Sequence, residues 1–215
     1  LQKDDWSFRR SKWFQHVGNE CYNVQKNVGI IDMTPFAKCQ ISGTNAKNWL
    51  NKIVANQLPE IPGRIKLCHA LNKNGGVRSE FTILLDFDSN FYLVSAGALE
   101  RYDHDYLRKL LPTDDSVRFE NTTTKYGVLA IAGPKSRELL ERVSDNSFIN
   151  KDFPWLSAQR IEIGLSNCLV MRINFFGELG WEIHHPIETQ NHIFDILSDA
   201  GKDLGIKPFG IRAMD

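Results

Sequence analysis

Apolar residues recur along the chain at two spacings, every three or four residues and every second residue. The first spacing is typical of a helix with one buried face, and the second of a strand with one buried face. Helices are predicted at about 13–26, 44–55, 98–111, 134–143 and 188–200. Strands are predicted at about 28–33, 36–41, 65–71, 77–87, 91–95, 117–120, 126–132, 158–163, 168–174 and 181–185. Hairpins and helices follow each other without regular alternation, which indicates an α+β fold and argues against a doubly wound sheet.

A proline-rich break divides this pattern. Residues 58–63 have the sequence LPEIPG, which can continue neither a helix nor a central strand. Compact hairpins follow the break, and the first of them has a turn at 72–76 that is rich in residues tolerating positive φ. We therefore predict two lobes. Residues 1–60 and 121–215 form the larger one, and residues 61–120 form a smaller lobe inserted in it.

Composition narrows the class of partner. Hydrophobic residues make up 42% of the chain and charged residues 24%, the balance of an ordinary globular protein. Lys and Arg together number 26, as do Asp and Glu, so the basic excess of a nucleic-acid-binding domain is absent. No apolar run reaches the roughly 20 residues of a membrane helix. We expect a small-molecule ligand, with neither nucleic acid nor membrane as a partner.

Cysteine and histidine spacing gives no indication of a metal site. The four cysteines are scattered without a Cys-x-x-Cys pair, which favours reduced thiols over a disulfide framework or a zinc site. His184 and His185 are the one adjacent histidine pair, and neighbouring residues of a strand point to opposite faces. We therefore predict no metal.

Two glycine-containing segments are candidates for chemistry. Residues 74–80, NGGVRSE, are either a simple hairpin tip or a turn that carries polar site residues. Residues 177–182, GELGWE, place two glycines around an acid and a tryptophan, which suggests a backbone brought close to something flat. A tight turn with a solvated Glu178 explains the second segment equally simply. Neither a phosphate loop nor a dinucleotide fingerprint occurs.

Four stretches in one order carry a family resemblance. They are VGIIDMTPF at 28–36, NGGV at 74–77, AGPK at 132–135 and GELGWE at 177–182. Together they resemble the signature stretches of the aminomethyltransferase (glycine-cleavage T-protein) superfamily. The DMTPF variant, preceded by Trp13 and Phe14, resembles the branch fused to dimethylglycine and sarcosine dehydrogenases. This resemblance implies a two-lobed folate-binding α+β fold with antiparallel or mixed sheets, lacking the family's C-terminal barrel domain.

The resemblance also implies a function. In such family members tetrahydrofolate lies in a central hole and captures a one-carbon unit that comes from a small methylated amine. FAD belongs to an N-terminal domain in cis, and a C-terminal barrel domain follows. The chain opens with Leu1 and closes at 210–215 on what looks like a helix start, so we expect a fragment of a longer polypeptide. The expected location is cytoplasmic, or the mitochondrial matrix in a eukaryote.

Site residues follow from the resemblance by position. Glu182 matches the glutamate that grips the pterin ring, where a carboxylate accepts two parallel N–H bonds. Glu80 matches an acidic position near the reacting folate nitrogens, where a carboxylate steadies positive charge or passes a proton. Trp181 and Arg212 are further candidates for cofactor binding. Ser79 stands where relatives often have a second acid.

Two alternatives remain open at the level of sequence. One is a non-catalytic folate-binding scaffold that keeps the fold without transfer. The other is a folate-dependent demethylase acting on a sulfonium or methoxy substrate, which the stretch from Trp13 to Phe36 disfavours relative to the amine-linked branch.

Overall fold

The computed structural model describes residues 8–175 and 177–214. Helices α1 to α6 span Phe14–Lys26, Ala46–Asn51, Glu100–Lys109, Ser136–Val143, Gln190–Ala200 and Ile211–Met214. Strands β1 to β11 span Val28–Asp32, Ala37–Ser42, Ile65–Leu71, Val77–Leu85, Phe91–Ser95, Arg118–Asn121, Tyr126–Ala132, Ala158–Ile163, Ser166–Met171, Gly180–Pro186 and Ile206–Pro208. Single turns of 3₁₀ helix at Gly97–Leu99 and Ile187–Thr189 lead into α3 and α5. No helix in these ranges is both long enough and apolar enough to cross a bilayer.

The strands form two open sheets. The six-stranded sheet has the order β11-β1-β7-β10-β9-β8, and the five-stranded sheet has the order β3-β4-β5-β2-β6. All pairs are antiparallel apart from β1 with β11, which is parallel. The predicted α+β class with antiparallel and mixed sheets is thereby confirmed. Within the described ranges neither sheet closes into a barrel.

Between β1 and β2 the chain passes from the six-stranded sheet to the five-stranded sheet. Strand β2 lies between β5 and β6 in the five-stranded sheet, and α2 packs against the same sheet through Trp49 and Leu50. The break at 58–63 therefore connects α2 to β3 within one layer, and the change of sheet comes about twenty residues before it. The two-lobe division at residue 61 stays a prediction.

Helix α2 is shorter than the predicted segment 44–55. It begins after Asn45, whose side chain makes no capping bond, and it ends at Asn51. Val54 forms a β-bridge with Ala70. The chain therefore leaves the helix early, because pairing with β3 satisfies backbone groups that a longer helix would leave facing the sheet.

Each sheet has one face under helices and one face toward the other sheet. On β4, Phe81 and Ile83 belong to the core under α2 and α3. Leu84 instead packs with Tyr92 of β5 and with Met171 of β9, between the two sheets. Since strand residues alternate faces, Glu80 and Thr82 share with Leu84 the face of β4 that points toward the six-stranded sheet. This arrangement defines the space in which a ligand can lie.

Candidate functional site

A cavity of about 450 Å³ lies between the sheets. Its volume falls within the roughly 300–1,000 Å³ of small-molecule pockets. Much of its wall is apolar and includes Phe36, Val94 and Phe175. The two glutamates expected from the sequence, Glu80 and Glu182, both line it, although about a hundred residues separate them in the chain. We call this space the inter-sheet cavity.

Glu182 is a buried acid of the cavity, carried by a central strand of the six-stranded sheet. Strand β10 runs between β7 and β9, so Glu182 lies opposite Ala130 on one side and Met171 on the other, with 3% of its surface exposed. Its Oε2 lies 3.1 Å from Nε2 of His184, two residues further along the same face. Within the described part of the chain Oε1 accepts no hydrogen bond. A buried carboxylate is costly unless it is paired, so this oxygen is available to a donor in the cavity.

His184 links Glu182 to the opposite sheet. Its Nδ1 lies 3.0 Å from the hydroxyl of Tyr92 on β5, and the two rings meet edge to face with centroids 5.5 Å apart. Burial raises the pKa of Tyr92 well above its ordinary value, and the nearby Tyr126 and Glu182 add to the effect. The phenol therefore stays protonated. The sequence draws attention to His184 only as a rejected metal ligand and gives no signal for Tyr92, because nothing in a single strand shows which residue of another sheet will face it.

Lys38 brings a positive charge into the same layer. Its side chain is fully buried, and Nζ donates hydrogen bonds to the carbonyl oxygens of Thr34 at 2.7 Å and Phe36 at 2.8 Å. Burial lowers the pKa of Lys38 to about 8, and the carboxylates of Glu100, Asp32 and Glu182 oppose that shift. The ammonium therefore offsets part of the negative charge that Glu182 brings into the protein interior.

Glu80 lies at the mouth of the cavity. Its side chain is 77% exposed, and Oε1 lies 3.1 Å from Nε2 of His69, the residue directly opposite on β3. Exposed pairs of this kind contribute little to stability. Because the carboxylate is accessible and lies beside an imidazole, it can accept and pass a proton at the cavity entrance.

A third acidic side chain, Asp103, reaches the cavity from a helix. Asp103 of α3 accepts a 2.6 Å hydrogen bond on Oδ1 from the hydroxyl of Ser79, and both side chains are buried. Oδ2 of Asp103 has no hydrogen-bond partner among the described residues. Ser79 and Asp103 line the inter-sheet cavity at its edge. Ser79 stands where relatives often have an acid. In this chain the carboxylate of Asp103, from a different element, lies within hydrogen-bonding distance of Ser79.

The comparisons with known proteins bear on this arrangement. The family model described as the GCVT N-terminal domain matches residues 3–215. The chain belongs to this family. The expected membership in the aminomethyltransferase superfamily is thereby confirmed, and the match extends over both sheets and the cavity between them.

Two of the similar proteins are a dehydrogenase and an oxidase. Mitochondrial dimethylglycine dehydrogenase from Mus musculus is 31% identical over 210 residues, which are 97% of this chain and 24% of that protein. Sarcosine oxidase subunit alpha from Rhizobium meliloti is 30% identical over 211 residues, covering 94% of this chain and 21% of that protein. The chain thus spans about a quarter of the length of these relatives.

A solved structure supports the fold independently. The glycine cleavage system aminomethyltransferase T from Bartonella henselae superposes with a TM-score of 0.78 over 93% of this chain and 52% of that one. The two sequences are 18% identical, so this likeness establishes the shared fold alone.

Trp181 lies outside the inter-sheet cavity. It is fully buried on the helix-covered face of β10, where Phe148 and Phe153 pack around it with ring centroids 5.8 and 6.2 Å away. Its neighbour Glu182 lines the cavity, and adjacent strand residues point to opposite faces. Trp181 therefore does not line the inter-sheet cavity, and its expected contribution to cofactor binding stays a prediction. The tryptophan instead anchors the strand that carries Glu182.

Arg212 also lies away from the cavity. It is on α6, and its guanidinium lies 4.5 Å from the ring centroid of Trp13. A contribution of Arg212 to ligand binding stays a prediction. Among the described residues no three His, Cys, Asp or Glu side chains cluster as metal ligands would.

The glycines of the segment 177–182 serve the turn and the sheet. Gly177 has a φ of 72°, a conformation that favours glycine. A Cβ at Gly180 would lie 2.5 Å from the carbonyl oxygen of Ile131 on β7. The close backbone approach predicted here is therefore to a neighbouring strand, and it seats β10 tightly enough to fix Glu182.

Proposed function

We propose that this chain is a tetrahydrofolate-binding, one-carbon transfer domain of the dimethylglycine or sarcosine dehydrogenase type. The observation that carries the proposal is the inter-sheet cavity, with buried Glu182 inside it and accessible Glu80 at its mouth. Family membership over residues 3–215 supports it, as do relatives whose names describe the oxidation of methylated glycines.

The residues present fit a pterin ring. Such a ring is flat and presents a 2-amino group beside an N3–H. Glu182 offers an Oε1 without a hydrogen-bond partner in the described chain, together with the second lone pair of Oε2, which are the acceptors for two parallel N–H donors. The apolar walls formed by Phe36, Val94 and Phe175 suit the faces of the ring. The cavity thus combines walls that are largely apolar with the deeply placed carboxylate of Glu182.

Glu80 supplies the acid–base function in this proposal. Bound tetrahydrofolate contributes the nucleophilic nitrogens that accept the one-carbon unit. The carboxylate of Glu80 accepts a proton at the mouth of the cavity or stabilises positive charge there, and His69 orients it at 3.1 Å. Its exposure permits a proton to leave to solvent.

The remaining partners belong to the proposal as well. A small methylated amine is oxidised by an FAD domain in cis, and a C-terminal barrel domain closes the folate pocket. The mitochondrial matrix is the proposed location in a eukaryote, since the similar mouse dehydrogenase is mitochondrial, and the cytoplasm in a bacterium.

A non-catalytic folate-binding scaffold is the second candidate. The observation in its favour is that Glu80 is exposed and already paired with His69, while Ser79 is committed to Asp103. A protein that binds folate without transferring a carbon would need Glu182 alone.

One experiment separates these readings. The full natural protein is titrated with tetrahydrofolate by calorimetry, and amine turnover is then followed while free formaldehyde and one-carbon folate are both measured. Binding with one-carbon folate formed in proportion to amine oxidised supports transfer. Binding with formaldehyde released instead supports the scaffold. Absence of binding overturns both.

A further inference from the structure

Three buried side chains form a hydrogen-bonded series across the space between the sheets. The hydroxyl of Tyr92 on β5 lies 3.0 Å from Nδ1 of His184, and Nε2 of His184 lies 3.1 Å from Oε2 of Glu182 on the same strand. All three residues are at most 6% exposed. The series is therefore a fixed part of the interior, separate from the exposed pair at the mouth.

The hydrogen bonds that Tyr92 and Glu182 can make determine which ring nitrogen of His184 carries the hydrogen. Tyr92 is protonated, and a buried hydroxyl that donates to nothing would lose a hydrogen bond without compensation. Among the described residues its acceptor is Nδ1 of His184. Nδ1 therefore carries no hydrogen, Nε2 carries it, and Nε2 donates to Glu182. With this tautomer, the Tyr92 hydroxyl and the Nε2–H of His184 each have a hydrogen-bond acceptor.

This order has a consequence for Glu182. Rotation about the last side-chain bond of a glutamate is soft, so a free carboxylate samples many orientations. A donor fixed at Oε2 removes that freedom and leaves Oε1 directed away from His184. His184 and Tyr92 also line a second cavity of about 370 Å³, so the imidazole lies between that space and the carboxylate.

We propose that His184 is a positioning residue, held by Tyr92 with its hydrogen on Nε2, that orients Glu182 for a ligand with two adjacent N–H donors. The matching ligand chemistry is a 2-amino-pyrimidin-4-one ring, and this part rests on the proposed function. The arrangement follows the general rule that groups behind a binding residue fix its geometry.

The test is a set of variants titrated with tetrahydrofolate in the full natural protein. His184→Leu removes the donor to Glu182, and affinity should fall about 10-fold or more. His184→Gln keeps an N–H donor at similar reach, so affinity should stay within about 3-fold of wild type. Tyr92→Phe frees the tautomer and should give an intermediate loss. His16→Leu, at an exposed position on α1, is the matched control and should change nothing.

Coupling to the carboxylate distinguishes positioning from a general packing effect. In a Glu182→Gln background, His184→Leu should cause no further loss of affinity, because residues that act through one another are not additive. A structural defect would lower affinity by the same factor in both backgrounds. If His184→Leu fails to fold, Tyr92→Phe, with and without Glu182→Gln, carries the test.

A measurement without ligand completes the design. Nitrogen-15 NMR of the imidazole should show the hydrogen on Nε2 in wild type and a mixture of tautomers in Tyr92→Phe. A hydrogen on Nδ1 in wild type would overturn the inference, as would full affinity in His184→Leu and Tyr92→Phe alongside a loss in Glu182→Gln. Failure of the wild type to bind tetrahydrofolate would instead overturn the proposed function, and the NMR result would still decide the tautomer.

Discussion

Glu80 and His69 face each other across β3 and β4, with Oε1 of the carboxylate 3.1 Å from Nε2 of the imidazole. Both side chains are substantially exposed at the mouth of the inter-sheet cavity. This pair therefore differs in kind from Glu182 and His184, which have nearly the same separation but lie in the interior. An exposed pair can exchange protons with solvent, whereas a buried pair holds a fixed orientation.

Glu80→Gln tests the acid–base function proposed for Glu80. The substitution keeps the length and hydrogen-bonding reach of the side chain but removes its charge and its proton acceptor. We expect folate affinity to be retained, while one-carbon transfer falls by about 10²-fold, a typical general-base contribution. The measurement is one-carbon folate formed per amine oxidised in the full natural protein.

The control for Glu80 is Glu60→Gln. Glu60 is an equally exposed glutamate, with its side chain 3.0 Å from a single partner, Lys47, and it does not line the inter-sheet cavity. The Glu60→Gln substitution should leave one-carbon transfer unchanged and alter the free energy of unfolding by no more than about 0.5 kcal/mol. Normal coupling in Glu80→Gln would leave Glu80 as a residue of the cavity edge and remove it from the reaction.

Glu182→Gln and Glu182→Ala test ligand recognition. A carboxylate that accepts two charge-assisted hydrogen bonds should be worth about 2–4 kcal/mol, or roughly 30- to 1,000-fold in affinity. Calorimetric titration with tetrahydrofolate measures the loss. Glu162→Gln, an exposed glutamate on β8 of the same sheet, should bind normally. Unchanged affinity in both Glu182 variants would assign the residue a purely structural role.

Ser79→Ala tests the buried hydrogen bond to Asp103. Removing the donor leaves both oxygens of a buried carboxylate without a partner, which should lower the free energy of unfolding by about 1–3 kcal/mol. Ser147→Ala is the matched control, because Ser147 makes a 2.7 Å bond to Asp152 at the surface. Water replaces that bond, so the change there should stay within about 0.5 kcal/mol. Equal effects at the two sites would mean that the buried pair has no special importance.

Lys38→Met tests the charge buried between the sheets. The pKa of Lys38 is lowered from 10.5 to about 8 in the folded protein, so between these pH values the unfolded chain binds more protons than the folded one. Stability therefore rises with pH across this window in wild type relative to Lys38→Met, by a total of about 3 kcal/mol. Below pH 8 the cost of the buried charge is fully present, and above pH 10.5 it is gone.

Urea denaturation of both proteins from pH 7 to 11 measures this difference. Burial also raises the pKa of Cys68 and of Cys168 to about 11, which lowers stability as pH rises through the upper part of the range. Because both proteins carry these cysteines, their effect cancels in the comparison. The lost hydrogen bonds to Thr34 and Phe36 add a constant offset. A difference that does not vary with pH would contradict the lowered pKa.

Most strands and turns can be predicted from short stretches of the sequence. The segment 65–71 alternates apolar and polar residues, and the asparagines and glycines at 72–76 make a turn that joins it to the next strand. Such periodicity arises within a few residues, so it can be read without knowing the rest of the chain. Helix lengths are harder to predict from the sequence. Helix α2 ends earlier than its pattern predicts because Val54 pairs with Ala70 of β3.

The α+β class, the family and the two glutamates that line the cavity can be predicted without a structure. What surrounds those glutamates depends on how distant elements pack: His184 pairs with Tyr92 across 92 positions of the chain, and Asp103 meets Ser79 from another element. The tertiary structure also decided that Trp181 faces the core while Glu182 faces the cavity. The physical reason is that the alternation of a strand fixes which residues share a face, whereas the packing of sheets and helices fixes what each face meets.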